Sequence, residues 1–304
     1  MPAKAIPPTR DRLQSRILVW IAVPILVLLT IGALRDIFPF RSWEPRQWHF
    51  HVFAVIAISA IFGTAALWIR AATPAAAACG AMICLLLTWN TGYITRSPLY
   101  SALTPLLALF ILTFTATHAG RHRKLGQGNA ENRKGRNAAQ VIANLGIAAL
   151  ITSQWVRNVG FTQNFLGIED VFLAVMLATL AEATADTVSS EIGQAFGGQP
   201  ILLTTLRRVP PGTDGAISLA GTLAGIASAA IIVALGAPTM NLNFTHCKVA
   251  FAAAVVGLFF DTLLGATAER KGWIGNDLVN FMSTAFAAII ALMAFTFGPN
   301  YLLY

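Results

Sequence analysis

Long apolar runs constrain this chain more than any other feature of its sequence. About 20 consecutive apolar residues are needed to cross the hydrocarbon core of a bilayer, and the 304 residues contain nine candidate runs. Only 11% of the residues are charged, against about a quarter in soluble domains. We therefore predict an all-α, polytopic membrane helical bundle. The predicted spans are residues 17–34, 51–69, 71–89, 99–117, 138–156, 168–185, 216–236, 249–268 and 277–297.

The distribution of Lys and Arg predicts the orientation. The N-terminal tail and the even-numbered loops carry 15 of these residues, and the odd-numbered loops carry six. Because cytoplasmic loops are enriched in Lys and Arg, the N-terminus is predicted to be cytoplasmic. The formal charge of +8 then indicates loops beside anionic lipid, and we predict no nucleic-acid partner. We expect a multi-pass protein of the inner or plasma membrane, if the source is bacterial, with its active site on the cytoplasmic side.

Polar residues divide the chain unevenly. Acids and amides inside or at the ends of apolar runs are concentrated after the basic linker 118–137. We therefore predict transmembrane helices that serve as a support or lipid tunnel over 1–117, and a catalytic membrane domain over 138–304. The second and third spans are expected to form a tight helical hairpin, because only Arg70 and its neighbours separate them.

Amide side chains mark the start of the fifth span, in the segment "KGRNAAQVIAN". Asn137, Gln140 and Asn144 are spaced i, i+3 and i+7, so they share one helix face. This face begins beside Lys134 and Arg136. Either ligand contacts or interhelical hydrogen bonds would explain the amides.

Carboxylates continue this pattern in the sixth and eighth spans. Glu182 and Asp186 are one turn apart, and Glu191 follows. Two such carboxylates repel unless a cation or a shared proton intervenes, and Mg²⁺ is the cation that carboxylates and substrate phosphates bind together. Alternatively, Glu182 is protonated and packed. Asp261 lies eight residues before Glu269, and an acid at that depth in a span indicates function.

A polar loop, "RRVPPGTDG", precedes the seventh span. Arg207 and Arg208 offer forked donors suited to phosphate, and Gly212 permits a tight turn. Thr213 and Asp214 lie where a helix N-cap is expected. A positively charged cytoplasmic loop with a good cap would explain each residue singly, but it does not explain why they occur together.

The last span opens with Asn276, Asp277 and Asn280. Asp277 could serve only as a helix cap. A row of small residues in the seventh span predicts close helix packing: Ser218, Gly221, Thr222 and Gly225. No P-loop motif and no Ser-His-Asp or zinc spacing occurs in the sequence.

Five segments together resemble a known family. They are "RNAAQVIAN", "ATADTVSSEIG", "LLTTLRRVPPGTDGAISLAGT", "DTLLGAT" and "NDLVNFMS", within residues 134–284. They are similar to the integral membrane family that includes plant phytyl-phosphate kinase and an animal transmembrane protein of poorly known role. The resemblance implies a kinase that converts a prenyl monophosphate to the diphosphate. It also implies distant kinship with CTP-dependent lipid enzymes.

The resemblance extends to site residues and cofactors. It implies Mg²⁺ as cofactor and CTP or ATP as phosphoryl donor, with a prenyl-phosphate lipid, a nucleoside triphosphate and membrane lipids as partners. A homo-oligomer is compatible with these features. The candidate catalytic residues are Asp186, Asp214 and Asp261. The candidate metal ligands are Glu182, Asp186, Glu191, Asp261 and Asp277. The candidate nucleotide and phosphate contacts are Lys134, Arg136, Asn137, Asn144, Arg207, Arg208, Gly212, Thr213, Asn276 and Asn280.

Other functions fit the same residues. A CTP-dependent prenyl-alcohol kinase or a lipid-phosphate nucleotidyltransferase would use the same site. A transporter or flippase of an anionic isoprenoid lipid would also place acids in the membrane. Against transport, no inverted repeat is visible, and the acids lie towards one side rather than at the midplane.

Overall fold

The computed structural model describes residues 7–37, 46–92, 97–126, 135–156 and 168–298. Within these residues, seven helices are long and apolar enough to cross a membrane, and two shorter apolar helices span Leu103–His118 and Ala138–Thr152. The helical membrane class is therefore confirmed, whereas nine full spans are not. A helix of 16 residues is only about 24 Å long, less than the hydrocarbon core of about 30 Å.

The described residues form ten α-helices and one two-stranded antiparallel ribbon. The helices are α1 (Pro8–Ile37), α2 (Arg46–Trp68), α3 (Pro74–Gly92), α4 (Leu103–His118), α5 (Arg121–Gly126), α6 (Ala138–Thr152), α7 (Ile168–Phe196), α8 (Leu219–Thr239), α9 (Phe244–Leu264) and α10 (Asn276–Phe297). The ribbon pairs β1 (Ile201–Leu202) with β2 (Ala216–Ile217), and α9 continues into a π-helical turn, Gly265–Glu269.

Backbone pairing moves the start of the third predicted span. That span was predicted to begin at residue 71, whereas α3 begins at Pro74. The Thr73 amide donates to the Arg136 carbonyl at 2.9 Å, and the Arg136 amide donates to the Ala71 carbonyl at 2.9 Å. This pairing draws the residues before Pro74 out of the helix, and it joins the predicted α2–α3 hairpin to the segment before α6.

The start of the seventh span is also corrected. Residues 216 and 217 belong to β2, so α8 begins at Leu219 instead. Its N-cap is Ser218, whose hydroxyl accepts a hydrogen bond from the Gly221 amide. The prediction that Thr213 and Asp214 cap this helix is therefore wrong, because the ribbon separates them from the helix start. The fourth span likewise starts at Leu103 and not at residue 99.

Helix α7 is the centre of the bundle. It contacts α4, α6, α8, α9 and α10, and it runs 11 residues past the predicted end of the sixth span, to Phe196. The small residues of α8 let it approach closely, as predicted. A Cβ atom at Gly225 would lie 2.8 Å from the Ala185 carbonyl oxygen and 2.8 Å from the Ser189 Cβ. This close contact holds the polar end of α7 beside α8.

The N-terminal and C-terminal helices pack into one bundle. Helix α3 contacts α6, and α4 contacts α7 and α8. At the start of α1, Arg10 donates to the Gly272 carbonyl at 3.2 Å, and Ser15 donates to Asp277 at 2.6 Å. The N-terminal helix and the loops after α2, α4, α7 and α9 therefore gather at one end, here called the charged end. That this end is cytoplasmic stays a prediction, as does the division into support and catalytic parts.

Candidate functional site

A polar cavity of about 250 Å³ opens at the charged end. Its walls come from α6, α7, α9, α10 and the loop between α7 and α8. Ten of the predicted site residues line it: Arg136, Asn144, Asp186, Glu191, Gly212, Thr213, Asp214, Asp261, Asn276 and Asn280. Residues that are separated by up to about half of the chain thus meet in one cavity.

A pair of carboxyl groups lies at the centre of this cavity. Asp186 on α7, Asp261 on α9 and Arg136 all line the cavity, and Asp186 interacts electrostatically with both of the others. Oδ2 of Asp261 is buried and has no hydrogen-bond partner among the described residues. An unpartnered buried oxygen is costly, so this geometry favours a ligand or cation between the two helices.

Glu182 lies one turn before Asp186 on α7 and does not line the cavity. Its side chain is 0% exposed, and neither carboxyl oxygen has a hydrogen-bond partner among the described residues. Gly257 of α9 makes room for it, since a Cβ there would lie 2.6 Å from Cγ of Glu182. Glu182 thus packs beneath the cavity, and its assignment as a metal ligand has no support from its position.

The loop between α7 and α8 lines the cavity with residues 211–215 and rests on the π-helical turn. Gly215 has φ of +68°, and a Cβ at this position would overlap the backbone of Ala266. Only glycine combines this conformation with so close an approach. π-Helical turns in α-helices are frequent at functional sites, and this one carries Glu269 to the cavity wall.

Asp214 lies at the tip of this loop, outside the membrane-spanning helices. The surrounding protein raises the pKa of its carboxyl group by desolvation, and Arg270 opposes this effect. Arg270 follows the π-helical turn directly. The loop and the turn are therefore coupled by charge as well as by packing.

Several predicted site residues lie elsewhere. Arg207 and Arg208 are exposed and do not line the cavity. Asn137 forms the capping box of α6 with Gln140, and Asp277 accepts a hydrogen bond from Ser15. These contacts give Asn137 and Asp277 structural explanations. A fifth residue, Lys134, lies outside the described part of the chain.

Other residues of this region were not predicted as site residues. Lys124, assigned only to the basic linker, is 2% exposed and forms a salt bridge with Glu191. It also donates to the Ala116 and Thr117 carbonyls at the end of α4. Glu269 was predicted only as the end of a span. Its position eight residues after Asp261 places both on one helical face about two turns apart, and that spacing was the available signal.

The residues fit a divalent cation only with help from a substrate. Among the described residues, no group of three His, Cys, Asp or Glu side chains converges as a preformed metal site. Two carboxylates, Asp186 and Asp261, do converge, and one of their oxygens is unpartnered. Mg²⁺ is commonly held by one or two carboxylates together with substrate phosphates. This donor set is therefore compatible with Mg²⁺ arriving with a nucleotide.

Comparison with known proteins places the chain among membrane proteins. Residues 57–288 match the family model described as integral membrane protein DUF92. The chloroplastic protein VTE6 of Arabidopsis thaliana is 30% identical over 193 residues, which are 61% of this chain and 56% of VTE6. This chain thus spans little more than half of VTE6.

Two microbial relatives are also similar. An uncharacterised membrane protein of Synechocystis is 32% identical over 190 residues, 61% of this chain and 70% of that protein. An uncharacterised membrane protein of Methanocaldococcus jannaschii is 33% identical over 193 residues, 62% of this chain and 74% of that protein. No solved structure matches the chain.

Proposed function

This chain belongs to the DUF92 family of integral membrane proteins, and on that premise we propose that it is a lipid-phosphate kinase. It transfers a phosphoryl group from a nucleoside triphosphate to a prenyl, phytyl-like monophosphate. The resemblance of its five polar segments to the phytyl-phosphate kinase family supports this substrate class. The similarity to VTE6 points in the same direction.

The observation that carries the proposal is the juxtaposition of Asp186, Asp261 and Arg136 in one cavity. Phosphoryl transfer needs positioning and charge neutralisation more than covalent help from the protein. Two carboxylates suit a metal-bound triphosphate, and an arginine suits the charge on the transferring group. Mg²⁺ would be held by Asp186 and Asp261 and would neutralise charge on the triphosphate oxygens.

The reaction requires little acid–base chemistry. An oxygen of the acceptor monophosphate attacks the γ-phosphorus, the bond to the β–γ bridging oxygen breaks, and the nucleoside diphosphate leaves with that electron pair. The acceptor oxygen is already anionic, so no strong base has to remove a proton. No histidine lines the cavity among the described residues, which agrees with this chemistry. Asn144 and Asn280, which line the same cavity, would orient phosphate oxygens.

A product assay tests the proposal. The full-length protein in detergent is offered phytyl, geranylgeranyl or farnesyl monophosphate with CTP or ATP and Mg²⁺, and the lipids are separated. We expect a prenyl diphosphate, and we expect Asp186→Asn and Asp261→Asn each to lower its formation by about a hundredfold, as for loss of one preorganised electrostatic contact. Asp170→Asn is the matched control, because Asp170 lies at the opposite end of α7.

Other products would overturn the proposal in defined ways. A monophosphate formed only from a prenyl alcohol would identify an alcohol kinase. A nucleotide attached to the lipid phosphate would identify a nucleotidyltransferase. Absence of all products from a monodisperse protein would overturn the enzyme class, and uptake of the lipid phosphate by proteoliposomes would then identify transport. Full activity in both aspartate variants would remove these residues from the site.

A further inference from the structure

A second cavity, of about 330 Å³, lies between α2, α3, α4 and α6. Its walls are mainly apolar, and a row of aromatic rings follows it. The ring centroids of Phe62 and Phe110 are 5.3 Å apart, those of Phe110 and Phe114 are 6.1 Å apart, and those of Phe114 and His118 are 4.2 Å apart. We call this cavity the aromatic groove. Its lining suits a long hydrocarbon chain rather than a polar ligand.

The end of the aromatic groove is cationic. Arg70, Arg121, Lys124 and Arg136 all line it. Lys124 is engaged with Glu191, whereas the three arginines form no salt bridge with any described residue. Guanidinium groups that form no salt bridge with a described residue, placed beside an apolar groove, complement a ligand that has an anionic head and an apolar tail.

The backbone holds two of these arginines, Arg70 and Arg136, in place. Arg70 has φ of +58°, a conformation that is unfavourable for a residue with a long side chain. The Ala71–Arg136 pairing described above fixes this turn, and Gly135 has φ of +74°. A Cβ on Gly135 would lie 2.6 Å from the Arg70 carbonyl oxygen. Such backbone strain persists where surrounding structure enforces it and is concentrated at ligand sites.

The aromatic groove adjoins the polar cavity. Arg136 and Asn144 line both. On one side of Arg136 lie the carboxylates Asp186 and Asp261, and on the other side lie Arg70 and Arg121. The carboxylate side would repel a lipid phosphate unless cations intervened, so an acceptor phosphate fits best on the arginine side.

We propose that the aromatic groove binds the isoprenoid tail of the acceptor, with its phosphate held by Arg70, Arg121 and Arg136 at the junction with the polar cavity. This inference rests on the proposed function and assigns its acceptor site. The nucleotide occupies the carboxylate side, and Arg136 lies between the two phosphates that react. The acceptor phosphate is thereby assigned to arginines other than Arg207 and Arg208, which lie outside both cavities.

The test measures equilibrium binding of radiolabelled geranylgeranyl monophosphate to the full-length protein in detergent, without nucleotide. Gly80→Leu is designed to obstruct the groove, which Gly80 lines. Gly32→Leu on α1, outside the groove, is its matched control, because a Cβ at Gly32 meets nothing within 4 Å. Arg121→Gln removes one cation, and Arg123→Gln is its control, since Arg123 instead stacks on Phe196. Thermal unfolding in detergent verifies that each variant is folded.

We expect Gly80→Leu and Arg121→Gln each to weaken binding by about tenfold or more, the size of one lost charge-assisted hydrogen bond or a comparable loss of apolar contact. The two control variants should bind as the unchanged protein does. Unchanged binding in folded Gly80→Leu and Arg121→Gln would overturn the proposal even if diphosphate is formed. The expected binding pattern without any diphosphate would support the groove while the kinase proposal fails. Equal competition by phosphatidylglycerol would identify a membrane phospholipid as the occupant and would also overturn the proposal.

Discussion

The ammonium nitrogen of Lys124 lies 2.5 Å from Oε2 of Glu191, and this salt bridge fastens the linker helix α5 to the polar end of α7. Lys124 also donates to two carbonyls at the C-terminal end of α4, where a cation is favourable. Lys124, a residue of the linker between the two halves of the chain, thereby positions Glu191 in the wall of the polar cavity.

Replacing Lys124 tests this role. We expect Lys124→Met to destabilise the protein by about 3 kcal/mol, since removing one partner of a buried ion pair leaves the other uncompensated. Thermal unfolding in detergent measures the change. The double variant Lys124→Met, Glu191→Gln should recover part of the loss. An unchanged unfolding temperature in the single variant would show that the contact is not structural.

Two glycines separate the effect of conformation from the effect of packing. Gly198 and Gly215 have φ of +65° and +68°, but a Cβ at Gly198 meets nothing within 4 Å, whereas one at Gly215 overlaps Ala266. Gly198→Ala should cost about 1–2 kcal/mol, the penalty for a left-handed residue. Gly215→Ala should cost more and should lower the proposed kinase activity, because the loop would lift from the π-helical turn. If Gly198→Ala and Gly215→Ala changed the unfolding temperature and the turnover equally, the close packing of Gly215 on Ala266 would be contradicted.

A negative charge on Glu182 is expected to be unnecessary for folding and for the proposed activity. Because it packs beneath the cavity without a hydrogen-bond partner among the described residues, Glu182→Gln keeps its shape and removes any need to bury an anion. We expect the unfolding temperature to be maintained or raised, and the Mg²⁺ dependence of turnover to be unchanged. A requirement for more Mg²⁺ in this variant would restore Glu182 as a metal ligand. Gly257→Ala, which crowds the same carboxyl group, should destabilise the protein.

The raised pKa of Asp214 predicts a pH dependence of stability. Desolvation raises this pKa above the ordinary 3.8, so the folded protein binds the proton more tightly than the unfolded chain does. The resulting stabilisation is present below the ordinary pKa and is lost as the pH rises through the raised one. Asp214→Asn should therefore unfold at a higher temperature than the unchanged protein at neutral pH, and the difference should shrink in acid. A difference that is independent of pH would contradict the assignment.

The sequence by itself determined the membrane class and the family, and it singled out acids that line the polar cavity. Apolar runs indicate transmembrane helices, because backbone N–H and C=O groups in lipid have to form their hydrogen bonds within a helix. Asp186, Asp261 and Asn280 could be selected as site residues because polar side chains are costly inside such runs, so each one requires an explanation. The row of small residues in α8 likewise predicted its close contact with α7.

Only the tertiary structure decided which polar residues meet. Lys124 reaches Glu191 across 67 positions of sequence, and the backbone of Arg136 pairs with Ala71 and Thr73, which places it next to Arg70. Neither contact could be predicted from a local sequence pattern. Side-chain periodicity shows which residues share one face of a helix, but it does not show which other element packs against that face. Arg207 and Arg208 illustrate the converse: their composition suits phosphate, but the turn that follows β1 directs them outside both cavities. Spacing along a helix is local, whereas a binding site is assembled by long-range packing.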